Sequence, residues 1–282
     1  MALGHDPRPN SKRNINEVLD PAIQEANGLL EQSRMVDFGD QIMANSELIR
    51  NLCDGDPETE RVFFTGFGNF VQRFPAILDR RIREGVNRGK MRANRFGKEN
   101  VMPHLIDIIR SVRTMREEES DHAGLWWKAA RKVGVDMDQS NLDHLNTPEM
   151  QDLISYADTA DVRQALAAAK ATEEIAGALS RILLSSPRFV ERQGGEFQWG
   201  EVHVSPDFLE AAIGRRKTAA RGVHDHDMLE HDDVDKLLLI AHDDSPAGIE
   251  DAKAMIRQGM ILFARAALSL EQHVKAGSQN IH

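Results

Sequence analysis

Cysteine is almost missing from this 282-residue chain, where Cys53 stands alone. One cysteine cannot build a disulfide framework, and with no CxxC pair there is no thiolate zinc site or redox dithiol to look for. A reducing cytoplasm is the expected setting. Aromatic residues are sparse, at 5% with a single tyrosine. No apolar run is long enough to span a bilayer and no signal-peptide core opens the chain, so no membrane association is expected. A basic excess is lacking as well. The net charge is −10 and the pI about 5.6, which leaves no broad basic surface to follow a phosphate backbone; nucleic acid is not an expected partner. No glycine-rich phosphate loop follows a strand pattern, and no Ser-His-Asp arrangement stands out.

What is present is helical periodicity. Pro57-Glu-Thr-Glu opens a long helix, with proline in its first turn and acids on the positive end of the dipole. Val62, Phe63, Phe67, Phe70, Val71, Phe74, Ile77, Leu78 and Ile82 then recur at helical spacing. Pro75 predicts a kink, and the basic, glycine-containing stretch 85–97 reads as a loop. Gly134 ends a further helix. Thr147-Pro-Glu predicts an N-cap, and Thr159 or Asp161 caps a helix running to Ser185 whose alanine-rich middle lets neighbours approach closely. Residues 188–204 alternate partly about Gly194-Gly195, which predicts a small β-hairpin, a candidate flap over a pocket. A final amphipathic helix covers 249–274. The expected organisation is an N-terminal arm over 1–35, partly disordered, and one helical domain over 36–278.

Three places on these helices carry chemistry. Glu119 and His122 stand at i and i+3, so a helix puts both on one face beside Trp126. Glu-x-x-His is the spacing by which helical bundles present a carboxylate and an imidazole to a di-iron or di-manganese site. Glu173 and Glu174 fall mid-helix. Glu174 shares the side of Ala171, Ala178 and Ile182 and is the better inward candidate, with Glu173 the alternative. Three of the 11 histidines fall within 224–231. On a helix His224, Asp227 (or Met228) and His231 share a face. Carboxylates with neutral imidazoles suit iron or manganese better than calcium or structural zinc. Phe67, Phe70, Phe74 and Trp126 are candidate walls of a small-molecule pocket, and Arg73 within it would bind a substrate carboxylate.

In these stretches the chain resembles the haem-oxygenase-like di-metal oxidases and oxygenases, a group related to the TenA proteins, pyrroloquinoline quinone synthase and the chlamydial protein associating with death domains. Phe70-Val-Gln-Arg-Phe-Pro-Ala-Ile-Leu78 is similar to the family's helix with an aromatic-Pro step. Glu119-Ser-Asp-His-Ala-Gly-Leu-Trp126 is similar to the segment giving the first Glu and His ligands. Ala168-Ala-Lys-Ala-Thr-Glu-Glu174 is similar to the segment ending in the central Glu, and 224–239 to the closing His-x3-Asp-x2-His segment.

The resemblance covers about residues 57–275, in order and spacing more than identity. It implies an all-α, seven-helix bundle holding two iron ions, Fe(II)/Fe(III), with dioxygen as co-substrate. The implied activity is that of an oxidase or oxygenase acting on a small organic molecule, with biosynthesis as a setting and a homodimer left open. The implied ligands are Glu119, His122, Glu174, His224 and His231, with Asp227 as a sixth. Two departures matter. Met228 stands where the family has its final Asp, and a thioether is a poor iron ligand beside carboxylates. The stretch 187–221 has no counterpart. The TenA branch's cysteine nucleophile has no match either, since Cys53 lies outside the matching region. A metal-free or degenerate relative, acting as a cofactor-independent oxidase or a binding scaffold, is the rival expectation.

Overall fold

A computed structural model describes residues 35–96, 119–136, 145–213 and 246–279, with Met102 and Ile106 between the first two. The expected N-terminal arm lies outside the described residues, as does the 224–231 cluster. The fold is all-α. In chain order the helices are α1 (Met35–Asn45), α2 (Glu47–Cys53), α3 (Pro57–Phe96), α4 (119–132), α5 (Pro148–Ala157), α6 (Val162–Leu184), α7 (Pro187–Arg192), α8 (Gln198–Val202), α9 (Pro206–Ile213) and α10 (Pro246–Gln279). The short α7–α9 take the tally past the seven of the expected bundle. Among the described residues no helix is long and apolar enough to cross a membrane.

Local signals set most boundaries. Thr147 accepts a hydrogen bond from Met150 N and Asp161 accepts one from Arg163 N, so α5 and α6 begin at the predicted caps. Gly134, at φ 80°, ends α4, with Val135 N returning to Ala130 O. Gly55, at φ 73°, makes the turn before Pro57. Pro75 lies inside α3 and is buried. One expectation for α3 needs correcting: the helix runs on through most of the expected 85–97 loop to Phe96. Glycine in a helix costs only about 1 kcal/mol relative to alanine. Val86 is buried at 3% exposure, and the Arg81 guanidinium donates to the Asp158 carbonyl at 2.8 Å, so tertiary contacts offset that cost.

The expected hairpin is also corrected. Residues 187–202 hold two short helices instead. Ser186 caps α7 with Pro187 behind it, accepting from Phe189 N. Gly194 and Gly195, at φ 69° and 82°, close the helix rather than a β-turn. Gly194 N bonds Glu191 O and Gly195 N bonds Val190 O, a helix C-cap pattern. Nor is the segment a flap: Phe189 and Phe197 are wholly buried.

One apolar core runs from Met43 to Leu270. Helix α6 is its axis, packed by α10, α1, α3, α8 and α5. Its small residues permit this closeness: a Cβ on Gly259 of α10 would lie 2.7 Å from Ala171 Cβ.

Candidate functional site

Helix α4 brings the first predicted pair inside. Glu119 and His122 are each 6% exposed, so they form no solvated surface patch. Their Oε1 and Nδ1 atoms stand 3.4 Å apart. Glu119 Oε1 is buried and receives no hydrogen bond from the described residues. A carboxylate oxygen taken out of water needs a donor or a cation against it, because the desolvation otherwise goes uncompensated. The donor set, a hard oxygen beside an imidazole, fits iron or manganese. Among the described residues no three acid, cysteine or histidine side chains already converge on one point.

Glu174 sits on α6 at a similar depth, facing Lys170 Nζ at 3.3 Å, and the two side chains are 13% and 5% exposed. Its carboxylate therefore already has a cation close by, and a metal there would share it. Glu173 is half-buried on the same turn. Met228, His224, Asp227 and His231 lie outside the described residues.

The aromatic candidates occupy the core. Phe67, Phe70, Phe74 and Trp126 are all at most 4% exposed. They pack on one another through Phe63 and Phe263: Phe70 lies 5.4 Å from Phe74 and 5.1 Å from Phe263, and Trp126 lies 5.1 Å from Phe63. Arg73 is exposed, so the structure does not bury it with these rings. A cleft of about 440 Å³ lies elsewhere, between α1 and α10, lined by Phe38, Ile42, Ala264, Leu268 and Glu271 among others. None of the described candidate residues lines it.

The segment 193–203 covers α4, and sequence reasoning missed its role. The two run antiparallel, contact by contact. Lys132 Nζ donates to Gln193 O at 2.6 Å and Glu196 O at 3.0 Å. Lys128 Nζ donates to Gln198 Oε1 at 2.7 Å. Trp126 packs on Trp199 at 5.0 Å between ring centres, and His122 packs on His203 at 4.7 Å. A histidine directly after a tryptophan-containing helical turn was a visible signal, but the alternation about Gly194-Gly195 pointed to a strand.

One comparison bears on the fold, and on the fold alone. No family model matches the sequence, and no curated protein matches it. Among solved structures the chain is similar to a TenA homologue from Pseudomonas syringae pv. tomato, at 14% identity and a TM-score of 0.54, over 95% of this chain and all of that one. The chain thus has a TenA-like all-helical fold.

Proposed function

We propose that this protein is a non-haem iron enzyme, with two iron ions per chain, that activates dioxygen to oxidise a small organic molecule. The observation that carries the reading is the buried Glu119–His122 pair, whose carboxylate oxygen lacks a hydrogen-bond donor among the described residues. Glu119, His122, Glu174, His224 and His231 would hold the metal, with Asp227 as a sixth ligand. Iron bound there would supply redox chemistry with dioxygen. The protein's own part is to exclude water with the Phe63, Phe64 and Trp126 cluster and to hold the His122 imidazole against Glu119. Removing water strengthens every charge interaction inside the site. The TenA-like fold supports a helical pocket of this kind by analogy only.

Metal analysis of protein purified anaerobically with iron supplied tests the reading. Close to two equivalents per chain is expected. Iron well below one equivalent, in a protein that is folded by circular dichroism, would end it. A second reading has its own support. Lys170 already faces Glu174, and Met228 replaces the family's Asp, as in a bundle that works without metal as a cofactor-independent oxidase or a binding scaffold. In that case Lys170→Met leaves iron content at background. On the metal reading it leaves Glu174 available and iron content is maintained or rises.

A further inference from the structure

We infer that His203 is a positioning residue whose ring holds the His122 imidazole in the orientation that faces Glu119, an inference that rests on the metal reading above. It acts by packing and makes no bond to the ion. Its own aim begins with local helix chemistry. His203 closes α8, and its backbone N–H returns to the Gly200 carbonyl. A helix end leaves its last carbonyls without intrahelical partners. His203 Nδ1 lies 2.6 Å from one of them, the Trp199 carbonyl oxygen. A carbonyl only accepts, so Nδ1 carries the proton. That bond fixes where the ring points from residues within one helical turn.

Tertiary contacts then fix where α8 lies. Lys132 of α4 donates to the Gln193 and Glu196 carbonyls, and Lys128 donates to Gln198 Oε1. Trp199 packs on His203 at 4.3 Å between ring centres and on Trp126 at 5.0 Å. Trp126 is fixed in turn by its Nε1–H, which donates to the Phe64 carbonyl at 3.0 Å. Two buried tryptophans therefore stand behind the His203 ring.

The ring they support meets His122. The two ring centres are 4.7 Å apart and the planes are tilted by 57°, within the contact range of aromatic pairs, about 4.5–7 Å. The same His122 ring has Nδ1 at 3.4 Å from Glu119 Oε1. Rotation of an imidazole about its last side-chain bond is broad, so the helix alone does not select this orientation. A functional side chain must be held within about 10–20° by packing around it. His203 supplies that packing from a distant part of the chain.

Cobalt(II) titration and side-chain nitrogen-15 NMR of the full chain without metal test the inference. The proteins are wild type, His203→Phe and His203→Ala, each checked for fold by circular dichroism, with His122→Ala used to assign the His122 ring signals. His203→Phe keeps a ring against His122 and is expected to bind cobalt as wild type does. His203→Ala is expected to bind about 10-fold more weakly, the lower end of outer-shell effects, and to broaden or multiply the His122 ring signals. A role in folding alone moves only the melting temperature. Unchanged affinity in folded His203→Ala, or unchanged His122 signals, therefore overturns the inference while the metal reading stands. So does a His203→Phe variant as weak as His203→Ala, since packing would then not be what matters. If folded wild type binds no cobalt, the metal reading falls, and the ring signals alone decide whether His203 holds His122.

Discussion

Glu119 and His122 carry a cost in the free protein that a bound cation would remove. A buried carboxylate oxygen without a donor destabilises the fold, and its amide relative does not bring the charge. Glu119→Gln is therefore expected to stabilise the metal-free protein by about 0.5–2 kcal/mol, as substitutions that relieve a functional site commonly do. The same change should weaken iron binding by at least about 10-fold. Thermal unfolding with and without iron reads both effects. A variant less stable than wild type without metal would mean that Glu119 is a structural hydrogen-bonding group. At the far end of the chain, Met228 removes an oxygen donor where the resemblance expects one. Met228→Asp should raise iron stoichiometry toward two per chain. If Asp227 already serves, Met228→Asp changes little and Asp227→Asn lowers binding instead. Titrations in which neither substitution moves stoichiometry or affinity would remove 224–231 from the site.

Helix α6 shows how an element is placed by what it leaves out. Its run of alanines and Gly259 on α10 let the two backbones approach until there is no room for another methyl group. Gly259→Ala gains about 1 kcal/mol in helix propensity. It also drives a Cβ to 2.7 Å from Ala171 Cβ. Neither atom can rotate away, since both are fixed to their backbones, so the helices must separate, and overpacking of this kind costs about 1–3 kcal/mol. The variant is expected to be less stable than wild type in chemical denaturation; equal or greater stability would show that the pair can shift freely. The helices around α6 were legible at their ends, because caps such as Thr147 and Asp161 act within three residues. The 187–202 segment was misread for the same reason turned about. Its alternation suits a strand, but Ser186-Pro187 and the paired left-handed glycines close a helix, and the burial of Phe189 and Phe197 decides between them.

The whole molecule reports its folding through its one tyrosine. Tyr156 on α5 donates to the Met255 carbonyl of α10 at 2.7 Å. Burial, then Asp161 and Asp251, push its pKa from 10 to about 12. In the unfolded chain a tyrosine ionises near 10. Between pH 10 and 12 the unfolded state has lost this proton and the folded state keeps it, so stability is unaffected below pH 10 and falls as pH rises through the window. Because no other tyrosine exists, phenolate absorbance follows this group alone. Ionisation near pH 12 in the folded protein is expected, and a midpoint near 10 would sink the assignment. Tyr156→Phe should lower stability at neutral pH by about 0.5–1.5 kcal/mol through the lost hydrogen bond and should reduce the loss of stability between pH 10 and 12.

By itself the sequence determined the all-helical class, the start of α3 at Pro57, the caps of α5 and α6 and the shared face of Glu119 and His122. Each depends on contacts between residues a few positions apart, where spacing is geometry. Only the tertiary structure decided that Lys170 faces Glu174 in the interior, that Arg73 is exposed, and that 193–203 runs back along α4 to set His203 on His122. Those outcomes depend on which surfaces meet across the core. Residues far apart in the chain are brought together there by burying Trp126, Phe197 and Trp199, and periodicity in one segment carries no record of its partner.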